Sequence, residues 1–181
     1  MTKPTASYIE EPDLVFGNRG EEKDPKLGLK YFGPYVPSNE ETPATTQIRI
    51  GIAGTGETIS LTKKILVMLA NPIKSDNANK WLYPDFPGFS LDNNIHSRFT
   101  TSDTWNATIF SSETKHVLSI IDVNERIAAA SDLFADKIRK ISFEDTLPHV
   151  IICALPQDIE EYCGISERTR GAKKPKSTAF F

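Results

Sequence analysis

Three groups of residues in this chain have types and spacings that could do chemistry. The first is Gly51-Ile52-Ala53-Gly54-Thr55-Gly56-Glu57-Thr58, which differs at one position from the phosphate-cradling pattern G-x-x-x-x-G-K-[ST]. Glu57 stands where the lysine belongs and reverses the charge facing a phosphate. The dinucleotide pattern G-x-G-x-x-G fails as well, because Ile59 occupies the third glycine position, where close helix packing needs the missing side chain. A tight strand-to-helix turn, with Glu57 complementing the helix dipole, accounts for these residues more simply. The second group is the run Arg168, Arg170, Lys173, Lys174 and Lys176, a broken basic stretch that could follow a phosphate backbone or serve as a solvated linker. The third is the aromatic cluster Trp81, Tyr83, Phe86 and Phe89. Such rings stack on bases in single-strand binders, but here prolines rather than lysines and arginines lie between them, so loop anchoring is the favoured reading.

Catalytic chemistry has no visible seat. His96, His116 and His149 are scattered, and none pairs with cysteine or carboxylate at metal-ligand spacing. Asp85, Asp92, Asp103, Asp122 and Glu125 read as caps and solvated turns rather than a carboxylate metal site. Cys153 and Cys163 give neither a zinc pattern nor a disulfide framework. We expect no catalytic residue, no metal and no cofactor.

The whole-chain balance limits the partners. Across 181 residues the formal net charge is -3 and the isoelectric point is near 5.7, so any nucleic-acid contact must be local rather than a general positive coat. With 39% hydrophobic residues and a mean hydropathy of -0.33, the composition is that of a soluble domain. No apolar run approaches the roughly 18 residues of a membrane span, and no secretory signal is visible at the N-terminus. A cytoplasmic protein without membrane contact is expected.

The elements that must position these groups follow from periodicity. Residues 1–46 are punctuated by Pro12, Pro25, Pro34, Pro37 and Pro43 and read as an extended N-terminal arm with turns, apolar enough to dock on a core. Ile48, Ile50 and Ile52 alternate with Gln47, Arg49 and Gly51, which predicts a strand. A helix follows from residue 57 to 70, with Leu61, Ile65, Met68 and Leu69 on one face. Residues 73–103 read as a structured loop. Short strands are expected at 108–110 and at 117–121, the latter equally able to begin or precede a helix. Asp122 and Glu125 form a capping-box pattern ahead of a helix whose face carries Ile127, Ser131, Phe134, Ile138 and Ile141. The apolar run 149–155, ended by Pro156, predicts a parallel strand buried on both faces. This alternation predicts an α/β fold, with a Rossmann-like, mainly parallel sheet flanked by helices. Ligands on such sheets bind at the carboxyl ends of strands, here 54–57 and 155–158. The predicted organisation is an arm at 1–46, an α/β domain at 47–163 and a basic linker or continuation at 164–181.

A family resemblance extends this reading. Glu11-Pro12-Asp13-Leu14-Val15-Phe16-Gly17, Asp24-Pro25-Lys26-Leu27-Gly28-Leu29 and Gly33-Pro34-Tyr35 come first. Ile48-Arg49-Ile50-Gly51-Ile52-Ala53-Gly54-Thr55 and Phe86-Pro87-Gly88-Phe89 follow, and then Pro148-His149-Val150-Ile151-Ile152-Cys153-Ala154-Leu155-Pro156 with Ile159-Glu160-Glu161-Tyr162-Cys163. In that order they resemble the front part of short prokaryotic Argonautes. The resemblance implies a MID-like domain of Rossmann-like topology that helps hold the 5′ end of a guide RNA or DNA against a complementary DNA target. It further implies a catalytically inactive PIWI domain and a separate effector, such as a sirtuin-like, TIR-domain or nuclease protein, in prokaryotic defence. The family's His/Lys/Gln/Lys phosphate pocket and its PIWI domain are expected beyond Phe181. Within the chain the resemblance implies one guide-proximal loop, represented by Gln157, Asp158, Ile159 and Glu160. A nucleotide-binding Rossmann-type enzyme domain and a protein-interaction module remain the alternatives.

Overall fold

The computed structural model of the chain describes residues 9–35 and 46–163. They divide into two compact units. One comprises the described residues up to 47 with Leu69–Arg98, and the other comprises Ile48–Met68 with the described residues from 99 onward.

The second unit is a layered α/β structure. Strand β3 (Thr46–Gly54) pairs in parallel with β5 (Val150–Ala154), placing Ile50 beside Val150 and Gly54 beside Ala154. Strand β4 (Ser97–Thr108) lies on the other side of β3, giving the order β4-β3-β5. It runs the same way, since Trp105 lies against Gly51 and the Ile109 amide donates to the Gly54 carbonyl at 2.8 Å. The sheet is therefore parallel, as expected, and its first strand is central. Helices cover both faces because alternate residues of β3 point to opposite sides. Ile50 and Ile52 meet Ile59 and Leu66 of α2 (Gly56–Leu69), joined by Ile152 and Ala154. On the opposite face, Ala53, Ala107 and Ile109 meet side chains from three helices: α3 (Ser111–Ser119), α4 (Val123–Ser142) and α5 (Gln157–Cys163).

Several expectations shift at this level. β4 begins within the segment expected to be loop and stops at Thr108, because an edge strand that is polar on its exposed side carries no apolar alternation. Residues 117–119 close α3 rather than forming a strand. Asp122 caps α4 as expected, its carboxylate accepting from the Asn124 and Glu125 amides at 2.9 Å each. The buried face of α4 is Arg126, Ala130, Phe134 and Ile141, and Ser131 is exposed. The strand at 150–154 is only half-buried, since β5 also lies at a sheet edge.

The first unit contains a helix where an extended arm was expected. A two-residue ribbon pairs β1 (Leu14–Val15) with β2 (Glu21–Glu22), and α1 (Pro25–Phe32) follows. Asp24 accepts from the Lys26 and Leu27 amides at 2.7 and 3.3 Å, and Pro25 opens the helix with a φ already suited to it. Phe16 and Leu27 are buried. Gly33 ends α1 at φ 75°, and a β-carbon there would lie 1.9 Å from the Asn94 carbonyl oxygen. Asn94 in turn donates its amide to the Lys30 and Tyr31 carbonyls at 3.0 and 2.8 Å, satisfying helix-end acceptors. Ile73 and Phe86 exchange both backbone hydrogen bonds at 2.9 Å, closing the intervening turn-rich segment.

Candidate functional site

The carboxyl ends of β3 and β5 lie side by side because Gly54 and Ala154 are register partners. In a sheet ordered this way the chain leaves β3 toward β4 and returns on the other side of β3 at β5, so the order reverses between β3 and β5. Crevices of open α/β sheets form outside the carboxyl ends of strands at such a point. Residues 54–58 leave β3 and residues 155–160 leave β5, so both segments lie at this end of the sheet.

The turn at 54–58 is held by two hydroxyls. Thr55 accepts from the Thr58 amide at 3.3 Å, as a helix-capping residue does. Thr58 donates to the Ala154 carbonyl at 3.0 Å, tying the start of α2 to the end of β5. Glycine is required at position 54 by this closeness, since a β-carbon would stand 2.5 Å from the Thr58 hydroxyl and 2.7 Å from the Ala154 carbonyl. Gly56, by contrast, has nothing within 4 Å of where a β-carbon would be, so the approach to the helix start is open.

After β5 comes the first turn of α5, where a loop was expected. Pro156 is buried and ends β5, while Asp158 and Glu160 suit the helix start. Of the four guide-proximal candidates, Gln157, Asp158 and Glu160 are exposed and can meet a ligand. Ile159 cannot, because it is 3% exposed and packs among Ala53, Ile109 and Phe134. Its role is to anchor the turn that presents the other three. Arg168, Arg170, Lys173, Lys174 and Lys176 lie outside the described residues. With Glu57, Asp158 and Glu160 the described rim is acidic, which disfavours a phosphate held by these side chains alone.

Two positioning features carry no sequence signal. Arg126 is 5% exposed and donates to the Tyr162 carbonyl at 3.1 Å and the Ile120 carbonyl at 2.9 Å, so one cation caps the ends of α5 and α3. It also touches Cys163, whose thiol is pushed up by burial and partly restored by that positive charge. Lys137 binds both Glu113 oxygens at 2.7 and 2.8 Å and lies 5.5 Å from the Phe110 ring centroid. Glu113 reaches back to the Phe110 amide at 2.8 Å, and its carboxyl is held below the usual range, first by Lys137. These contacts fix α3 and α4 behind the carboxyl end of β4.

Among the described residues there is no cluster of three or more His, Cys, Asp or Glu side chains able to hold a metal, and no helix long and apolar enough to cross a membrane. Neither a family model nor a curated protein matches the chain.

Proposed function

We propose that this chain serves nucleic-acid-guided recognition, as the MID-like portion of a catalytically inactive short Argonaute that helps hold a guide's 5′ end and works with a separate effector in prokaryotic defence. The observation that carries the reading is the pairing of Gly54 with Ala154, which brings two resemblance landmarks together at the carboxyl end of the sheet, where the strand order reverses. Gln157, Asp158 and Glu160 are the side chains offered there to a guide's first nucleotide. The acidic rim supports a division of labour in which these residues face the base and sugar, and the phosphate is held by cations outside the described residues. Guide RNA or DNA, a complementary DNA target and an effector protein are the partners this reading assigns.

A calorimetric panel of ATP, NAD and short oligonucleotides with and without a 5′-phosphate tests it. This chain should bind oligonucleotides weakly, with Kd of roughly 10⁻⁴–10⁻⁶ M at physiological salt and steep salt dependence, and should not bind ATP or NAD saturably. Replacing Arg168, Arg170, Lys173, Lys174 and Lys176 with glutamine should weaken the oligonucleotide binding. Saturable mononucleotide binding without oligonucleotide binding would replace this reading with that of a nucleotide-binding Rossmann-type domain. Effector capture that survives nuclease treatment, with no oligonucleotide binding, would replace it with a protein-interaction module.

A further inference from the structure

The aromatic segment of the first unit splits into two halves with different environments. Phe86 and Phe89 pack on each other, with ring centroids 5.7 Å apart, and both are partly buried. Trp81 and Tyr83 face outward, at 74% and 52% exposed. In the sequence no cation separates these rings, and Lys80, just before them, is committed to Asp85 at 3.1 Å and to the Ser75 carbonyl. The fold supplies cations from elsewhere. Lys26 of α1 places its ammonium 6.0 Å from the Tyr83 ring centroid. One turn later Lys30 lies 5.7 Å from the ring of Tyr31, which is 55% exposed. Lys26 and Lys30 are four residues apart and so share a helix face. Among the described residues neither is in a close ion pair, although the Lys30 charge acts on Asp85 and adds to the contacts, led by the Ser75 amide and Lys80, that hold its carboxyl below the usual range.

We propose that this surface of α1 and the turn at 80–83 binds single-stranded nucleic acid, with bases stacking on Trp81 and Tyr83 and the backbone phosphates meeting Lys26 and Lys30. Exposed rings next to ammonium groups are what sequence-tolerant single-strand binders use, because every base has a π-face and every nucleotide a phosphate. An acidic peptide would satisfy the lysines and leave the rings wet, so the exposed Trp81 argues for the nucleic acid. This surface goes beyond the guide-end reading and does not depend on it, since it needs no 5′-phosphate and uses no residue at the carboxyl ends of β3 and β5.

The test is titration of the full chain with dT20 and rU20 bearing 5′-hydroxyl ends, read by tryptophan fluorescence and by anisotropy of labelled oligonucleotide. The wild-type chain should show saturable quenching that Trp81→Phe diminishes by removing the reporter, while Trp105 still emits. Each lost stack should weaken binding by about 5- to 150-fold, so Trp81→Ala with Tyr83→Ala together should weaken it by about 30-fold or more. Lys26→Gln with Lys30→Gln should weaken it and flatten its salt dependence, and Tyr83→Phe should retain it. Trp81, Tyr83 and Lys26 are exposed and Lys30 is half-buried, and unchanged thermal unfolding of the variants keeps a loss of binding attributable to the contact. Three results would each overturn the proposal: no binding, affinity unchanged by the ring replacements, or equal competition by poly-glutamate. If the ring variants bind normally while the five-cation variant at 168–176 does not, this surface is refuted and the guide-end reading stands.

Discussion

The two units stabilise themselves by different means. In the unit built on β3, β4 and β5, side chains such as Ile52 and Ile141, 0% and 1% exposed, sit between layers, and burial of apolar area does the stabilising. In the unit built on α1 and residues 69–98, the backbone is held mainly by polar side chains. Asn94 serves α1, Asn93 donates to the Pro87 and Gly88 carbonyls at 2.9 and 2.8 Å, and Asp85 accepts from the Ser75 amide at 2.8 Å. The consequence is functional. A layered unit spends its large apolar residues on the core, whereas a turn-rich unit held by amide and carboxylate bonds can leave Trp81 and Tyr83 outside.

Breaking the layered unit should have the largest effect. Ile52→Ala removes a fully buried side chain between β3 and α2 and should cost about 2–5 kcal/mol, measured by chemical denaturation. Under the same treatment, hydrogen-exchange protection in the first unit distinguishes separate from joint unfolding. Arg126→Met should come next, at roughly 1.5–3 kcal/mol for charge-assisted bonds to two carbonyls. Its loss should appear first as faster amide exchange in α5. Faster exchange spread evenly over the whole layered unit would show that Arg126 does not act through the helix ends.

In the first unit, Gly33→Ala forces a side chain into a positive-φ position against the Asn94 backbone. A cost of roughly 1–3 kcal/mol is expected, with protection lost around α1 and residues 93–95 while β3 and β5 stay protected. The smallest effect concerns Glu113 and Lys137. Because the Glu113 carboxyl is depressed in the folded chain, the pair's contribution is full above the ordinary glutamate range and is lost as pH falls through the folded value. Lys137→Met should therefore lower stability by about 0.5–1 kcal/mol at neutral pH, and the difference from wild type should vanish in acid. A difference that persists at low pH would mean that Lys137 acts through its packing on Phe110.

The sequence by itself determined the parts that depend on local pattern. Alternation in Ile48, Ile50 and Ile52 and the run 150–154 marked strands, Asp122 marked a helix start, and strand-helix alternation marked a parallel α/β sheet, because period and capping are written in neighbouring residues. Asp24-Pro25 carried the same kind of signal for α1, but the surrounding glycines and prolines masked it. What only the tertiary structure decided is which of several competent surfaces is used. α2 is apolar on more than one side, and contact with Ile50 and Ile52 selects Ile59 and Leu66 for burial while Leu61, Ile65 and Met68 stay exposed. Ile159 went to the core instead of the rim for the same reason. The sequence placed prolines around Trp81 and Tyr83, and the lysine that faces Tyr83, Lys26, came from α1, more than fifty residues earlier. Periodicity records that a face is apolar or charged, but the partner that claims it is set by long-range packing.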